Sequence, residues 1–561
     1  MKKYKSIVTI FFLIVSLFWS CNESDFLEEE PLDFFASENS YSTPRQIEAA
    51  LTELYRNVRD LTIERNASSA FIFQYATDYA YNCIGGFHEL NSWSNQIIPE
   101  SGRIQTVWQR FYKIVSNSNV ILGRIEAVEY NSEDEKNAKI AEAKFFRAWA
   151  YRGLGILFGG VPLVTEEVQS PRRDFVRASR TEIWDQVIND LVTAIPDLPG
   201  ADDVVQPGRI SNGAANHLLA EMYIITQEYD RAIAAATEVI DNSGFSLMTG
   251  RFGSRSGEEG DVYWDLFRIG NQNREGGNTE GIWVSQYEFN VIGGGNGDEL
   301  ARFLVPLYWQ LTDSNGENLF TGPNTNFGGR GIGWWTPSDY YLEDLWQNND
   351  EDIRNSEVNI IRDIEANNPN SAFFGQPIVA SGAIDEFPNL LNRWWNPIVA
   401  KAAPIGNFPD ELILDAETGL TTGGANHSYR DRYMMRLAET YLLRAEAHFL
   451  RGDAGSAAAD INRVRSRANA DPVAPGDVDL DYILDERARE LFAEELRLLT
   501  LMRTGTLIDR IRRYNPYYNG TFTDANALII LDHQNVWPIP NSEIERNTQA
   551  VLEQNPGYTG S

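Results

Sequence analysis

Apolar residues recur at helical spacing in two separate stretches of the chain. In the later one, Met434, Leu437, Ala438, Tyr441, Leu442, Ala445, His448 and Phe449 follow one another at intervals of three and four. That spacing lays them along one stripe of an amphipathic helix, a stripe that must be covered. Gly452-Asp453 ends it, and Ala457, Ala458, Ile461, Val464 and Ala468 begin a second stripe of the same period. The small residues let two antiparallel helices approach closely. Upstream, Ala215, Leu218, Leu219 and Met222 followed by Ala232, Ala236, Val239 and Ile240 repeat the pattern. Both stretches read as tetratricopeptide-like pairs, separated by roughly 200 residues. A lone pair leaves an apolar face bare, so the two are expected to stack on each other across the intervening chain.

Further helices are predicted over 45–60, 103–128, 133–158, 180–195 and 480–503. Gly159-Gly160-Val161-Pro162 stops the third of these, since glycine releases a helix and proline cannot continue it. Between 246 and 426 the period is lost and Gly, Asn and aromatic residues dominate. Trp264, Trp283, Trp309, Trp334, Trp335, Trp346, Trp394 and Trp395 fall there, an aromatic density that opposes disorder. The expectation is a mainly α fold. Helical regions over 21–245 and 427–561 form its scaffold, and 246–426 is a large loop-rich, aromatic-rich insertion.

The first residues set the compartment. Lys2, Lys3 and Lys5 precede an apolar run over 7–19, then Ser20-Cys21. The run is too short to span a bilayer and has the proportions of a secretory signal. A cysteine at its end is the position at which a lipoprotein is cleaved and lipidated, so 1–20 reads as the signal peptide and Cys21 as the anchor. Phe18 and Trp19 stand where the usual lipobox has Leu and small residues. Cys83 is the only other cysteine, which leaves no intramolecular disulfide once Cys21 is lipidated. The net charge of −32, more negative still without the leader, repels nucleic acid and polyanionic glycans. A neutral polysaccharide suits it better.

Several motifs then carry a likeness. Ala141-Glu142-Ala143-Lys144-Phe145-Phe146-Arg147-Ala148-Trp149-Ala150-Tyr151 leads into Leu157-Phe158-Gly159-Gly160-Val161-Pro162-Leu163-Val164. Ala438-Glu439-Thr440-Tyr441-Leu442-Leu443-Arg444-Ala445-Glu446-Ala447 and Asp485-Glu486-Arg487-Ala488-Arg489-Glu490-Leu491 follow. Trp537-Pro538-Ile539-Pro540 with Glu543-Ile544 and Gln554-Asn555-Pro556-Gly557-Tyr558 come last. In this order they resemble the SusD/RagB glycan-binding lipoproteins of Bacteroidota. Most of these residues read as structural, small and apolar ones packing helices and charged ones satisfying helix ends. Asn22-Glu23-Ser24-Asp25 resembles the signal that sends such lipoproteins to the outer face of the outer membrane. The resemblance implies a SusD-like fold with 246–561 as one C-terminal family unit, and a SusC-like TonB-dependent β-barrel as partner. The helical side would face the barrel and the irregular side would hold ligand. The RagB branch leaves a peptide ligand as the alternative.

Glycan capture needs flat apolar faces for the C–H faces of sugars and polar groups for their hydroxyls. Three clusters offer both: Asn82, His88, Asn91, Trp93 and Asn95; Tyr308, Trp309, Trp334, Trp335, Tyr340 and Tyr341; and Trp394-Trp395. Trp93, Trp334, Trp335, Tyr308, Asn91 and His88 are the candidate platform, with Asp78 and Asp339 as hydroxyl acceptors. Trp264, Trp283 and Trp346 read as core, and Trp149, Trp184 and Trp537 as packing.

An enzyme is the weaker reading. Glycoside hydrolysis needs two marked carboxylates, and eighty acids mark none. His88-Glu89 lacks the second histidine of a zinc-protease helix. The glycine runs 293–297 and 328–333 do not join a strand to a helix, as a phosphate loop would. Cys83 has no nucleophile signature. No cofactor is expected; a structural calcium ion on the Asn/Asp-rich run 348–352 is the one metal the composition leaves open.

Overall fold

The computed structural model describes residues 40–62, 72–84, 91–347, 349–386, 393–522 and 528–558. The leader, Cys21 and His88 lie outside them. Helix α1 (Pro44–Thr62) buries Ile47, Leu51, Leu54, Val58 and Leu61 along one face. It packs with α2 (Gly102–Arg124) against α3 (Glu133–Phe158), whose other side meets α4 (Arg180–Ala194). Ser132 caps α3, and Glu133, Asp134 and Glu135 place negative charge at the positive end of its dipole. Gly153 and Gly155 sit mid-helix because a Cβ there would lie 2.4 Å and 2.5 Å from the Phe111 and Trp184 rings. Gly159, at φ 73°, ends the helix.

The pair α5 (Asn212–Ile225) and α6 (Tyr229–Thr237) stacks on α7 (Leu437–Leu450) and α8 (Ala454–Arg467), as the uncovered stripes required. Polar contacts tie the stack: His217 Nδ1 to Thr440 Oγ1 at 2.8 Å, and Arg444 to Thr237 Oγ1 at 3.0 Å. Met434, counted in the helical stripe, belongs instead to a strand that runs straight into α7.

The helix expected over 480–503 is two, α9 (Leu480–Leu491) and α10 (Arg497–Arg503), followed by α11 (Leu507–Tyr514). Ala493 breaks them with a left-handed φ of 63°, a conformation that disfavours a side chain. Its carbonyl, freed from helical bonding, accepts from Arg432 at 2.7 Å. The turn also aims Glu494 at Arg436 and Lys401, and Glu495 at Arg487 and Arg497.

Two antiparallel strand pairs tie the insertion to the helical blocks. β2 (Gly281–Ser285) pairs antiparallel with β4 (Arg432–Arg436), so the excursion leaves and returns at one place. β1 (Ala80–Asn82) pairs with β3 (Trp335–Pro337), which pins the excursion to the N-terminal block. The insertion has a small core of its own, including Val305, Tyr308, Leu311, Phe320, Ile378, Trp395 and Ile398.

Beneath it lies a buried ion network. Glu490 on α9 meets Arg436 at 2.7 Å and Arg354 at 3.0 Å, and also pairs with Arg467. Glu486 meets Arg354 at 2.7 Å and Arg465 at 2.8 Å. Glu280 pairs with Arg436 at 2.5 Å. Glu486 and Glu490 of the Asp485–Leu491 stretch therefore do not serve helix ends; they tie α9 to Arg354 of the insertion, while Arg487 pairs with Glu439 on α7 and with Glu495.

Candidate aromatic binding surface

The site begins with alternation. Successive side chains of an extended strand point to opposite faces, so Trp334 and Trp335 cannot share one. Trp335 turns inward, 2 % exposed, and stacks on Phe492 with ring centroids 5.8 Å apart at 21°. Trp334 turns outward, half-buried, with the Phe303 ring beside it at 5.4 Å.

Three other chain segments, at Cys83, at 302–307 and at Arg393, fix the backbone around Trp334. Its carbonyl accepts from Cys83 N at 3.0 Å, extending the β1–β3 pairing by one rung. Gly333 N donates to Val305 O at 2.9 Å and Ile332 N to Arg302 O at 2.8 Å, while Leu307 N reaches Arg393 O at 2.9 Å. A Cβ on Gly333 would come 2.1 Å from the Arg393 carbonyl, and its φ is +56°, so only glycine lets the segments approach this closely. Arg393 Nε donates to Ile332 O at 3.1 Å and supplies charge at this edge. Two more half-buried indoles pack against the insertion core. Trp309 donates to Gly331 O at 2.9 Å with the Arg330 guanidinium 5.5 Å from its ring, and Trp394 packs at the edge of the insertion core.

Trp93, Asn91, Tyr308 and Asp78 are corrected as surface residues, because all four are buried. Trp93 is 1 % exposed; its carbonyl accepts from Gln534 at 2.7 Å and its N–H reaches the Tyr518 hydroxyl at 3.0 Å. Asn91 is a clamp: its side chain receives Asn82 N–H at 3.1 Å and donates to Asn82 O at 2.5 Å. Tyr308 is fully buried, donating to Gly329 O at 2.9 Å. Asp78 lies between Arg497 at 2.6 Å and Arg510 at 2.8 Å. Burial opposes its ionisation, but the two guanidinium groups outweigh that and bring it down to about 2. It holds the fold together and offers nothing to a sugar. Asp339 is exposed. Phe303 escaped the sequence reading, since a short apolar segment does not show which of its residues faces out. Trp264, Trp283, Trp346, Trp149, Trp184 and Trp537 are buried, as read from their positions.

Burial raises the Cys83 thiol to about 11, and it donates to Gly333 O at 2.9 Å, leaving a neutral thiol. Asp352, the last member of the suspected calcium run, spends its carboxylate on a fork with Arg354 at 2.7 Å. Among the described residues no group of three or more His, Cys, Asp or Glu is arranged to hold a metal.

Comparison with known proteins places these features. A model described as the SusD family matches residues 271–558, just over half of the chain, and one described as starch-binding associating with outer membrane matches 25–224. SusD-like protein P25 of Formosa agariphila is 26% identical over 99% of this chain and 100% of its own length. The starch-binding protein SusD of Bacteroides thetaiotaomicron is 34% identical over 28% of this chain and 27% of its own. Among solved structures, a laminarin binding SusD-like protein superposes with a TM-score of 0.67 at 23% identity, covering 92% of this chain and 100% of that one. A surface glycan-binding protein A from Bacteroides thetaiotaomicron in complex with laminarihexaose gives 0.63 at 18%, covering 91% and 99%.

Proposed function

Because the chain belongs to the SusD family, we propose that it is a cell-surface lipoprotein, anchored through Cys21, that captures a neutral glycan and passes it to a SusC-like TonB-dependent barrel. The family is one of starch- and glycan-binding proteins. The observation that carries the reading is the part-buried Trp334 beside Phe303, on backbone held by three other segments. Aromatic rings offer area at little entropic cost, on the order of 1 kcal/mol for each well-stacked ring. Arg393 at the same edge supplies donors for hydroxyl groups. Laminarin and starch, bound by relatives and neighbours according to their names, are neutral polymers suited to a surface of net charge −32. Capture leaves the glycosidic bonds intact, because release to the barrel is part of the task.

Retardation of the protein in native gels cast with laminarin or with starch tests this. Trp334→Ala should be retarded less than the parent, by about a fivefold loss of affinity, while keeping its circular dichroism. Equal retardation of variant and parent would remove the platform. Binding to peptide mixtures with no glycan retained would favour the peptide alternative, and reducing sugar released from either polymer would favour a hydrolase.

A further inference from the structure

A concavity of about 480 Å³ lies along α2 and shares no lining residue with the Trp334 edge. One wall is the α2 face on which Trp108, Tyr112 and Val115 recur at helical spacing. The other is the irregular chain through Val164, Val168 and Phe175, with Leu552 at one end. Hydrogen bonds set both walls in place. Tyr112 donates to Pro162 O at 2.7 Å and Asn119 to Val164 O at 2.8 Å. Asn547 receives the Phe175 N–H at 2.8 Å and donates to its carbonyl at 2.7 Å. The Tyr112 and Phe175 rings stay part-buried, so each keeps some surface open to a ligand. The trough is thus pre-formed, and its volume falls within the roughly 300–1,000 Å³ of small-ligand sites.

Its charges decide what it can hold. Lys113 pairs with Glu53 at 3.2 Å, Arg172 with Asp174 at 2.9 Å and Arg546 with Glu543 at 3.5 Å, so every cation of the lining is already answered. Gln109 spends its Nε2 on Glu543 at 3.2 Å. Three groups of the lining are left without a partner among the described residues: Gln109 Oε1, the Ser116 hydroxyl and the Glu166 carboxylate. An anion would meet Glu166 with no cation to spare. A hydrocarbon would cover the three groups without pairing them, which costs free energy. A neutral polyol meets both needs, since its C–H faces lie on the rings and its hydroxyls donate to the unspent oxygens.

We propose that this trough is a second carbohydrate site. It takes a short neutral oligosaccharide, with sugar faces on Tyr112 and Phe175 and hydroxyls donating to Glu166, Ser116 and Gln109. The assignment rests on the glycan reading above and extends it to residues separate from Trp334. A polymer long enough to reach both sites of one molecule is then held at two points, and the second contact raises retention without raising affinity at either.

The test uses the full-length lipoprotein in lipid nanodiscs, with laminarihexaose and maltohexaose each carrying a photoreactive diazirine. Mass spectrometry of the Trp334→Ala protein should find labels on peptides holding residues 108–119 or 164–175, and excess unlabelled sugar should remove them. Ser116→Arg, at an exposed position of α2, fills the trough. It should cut those labels about tenfold while sparing labels on peptides around 303–335 and leaving the circular dichroism unchanged. Glu166→Ala, which removes one acceptor, should cut them about fivefold. Labels confined to the Trp334 side would overturn the trough and leave the platform standing; labels in the trough but none near Trp334 in the parent would do the reverse. Trough labels that survive excess unlabelled sugar, or that ignore both substitutions, would mark an adventitious contact and overturn the site as well.

Discussion

Two regions built by the same insertion invert the usual rule. Where it meets α9, it sends charges inward: Arg354 and Glu280 are fully buried among Arg436, Arg467, Glu486 and Glu490. Where it meets β1, it leaves Trp334 and Phe303 only part-buried, and Trp309 and Trp394 lie part-buried against its own core. Apolar burial alone would have placed these groups the other way round. The difference shows what each region is for. A buried ion pair adds little to stability over a well-packed apolar pair, yet breaking one is costly, so the network fixes one arrangement of α9 against the insertion. The rings gain little by staying wet, and their exposure makes sense as a contact surface.

The largest effect should come from the charged side of the comparison. Glu490→Gln leaves Arg436, Arg467 and Arg354 short of a counter-charge in a dry interior, and should cost about 3–5 kcal/mol. Burial resists ionisation of Glu490, but Arg467, Arg436 and Arg354 overcome it and hold the carboxyl well below the ordinary range. Denaturant unfolding measures the loss. A change under about 1 kcal/mol would mean that the network is ornamental.

Neighbouring tryptophans sharpen the other side. Trp335→Ala should lose about 3 kcal/mol or more of stability, because it empties a site packed on Phe492. Trp334→Ala should leave the midpoint nearly unchanged and instead weaken glycan binding by about 1 kcal/mol, roughly fivefold. If the two variants unfold alike, strand alternation does not separate scaffold from site.

How much of this the chain announces depends on distance along it. The stacked pairs α5–α6 and α7–α8 are legible because each stripe, read at a period of 3.6, is visibly uncovered. The left-handed Ala493 is not, since an alanine in an acidic helical run carries no turn signal. Nor is the fate of Asp78, whose partner Arg497 stands 419 residues away. Composition found the aromatic clusters but not their orientation. β1 and β3 are three residues each, too short for a period of two to register. Which indole faces out therefore depends on a pairing between remote segments, and Trp93 and Trp334 look equivalent until that pairing is known.

Acid should separate two kinds of buried carboxylate. Asp78 and Glu486 are each brought down to about 2 by arginines that outweigh burial. Their ionised forms are favoured in the folded state, so their contribution is complete above pH 5 and lost as pH falls from about 4 to 2, at most about 2–3 kcal/mol each. Asp431 behaves oppositely. Burial raises it to about 6 despite hydrogen bonds from Tyr287 N–H and Asn273. The folded chain takes up that proton before the unfolded one does, so stability should rise as pH falls from about 7 to 4. Denaturation midpoints should pass through a maximum near pH 4, and Asp431→Asn should flatten the rise while sparing the fall. A monotonic profile in the parent protein would contradict the assignment of opposite signs.

The smallest effect belongs to the surface, and it calibrates the comparison. Arg56 pairs with Glu53 at 2.5 Å and Asp60 at 2.6 Å on α1, distances within the range of the interior network. Its side chain is 46 % exposed, however, so water screens both pairs and ordering the long side chain consumes much of the gain. Arg56→Ala should cost no more than about 0.5 kcal/mol, and 1 M salt should erase most of that. Short distance is thus common to both settings, and desolvation is the variable that differs. Were Arg56→Ala to rival Glu490→Gln in a denaturant series, burial could not be what gives the network under the insertion its hold.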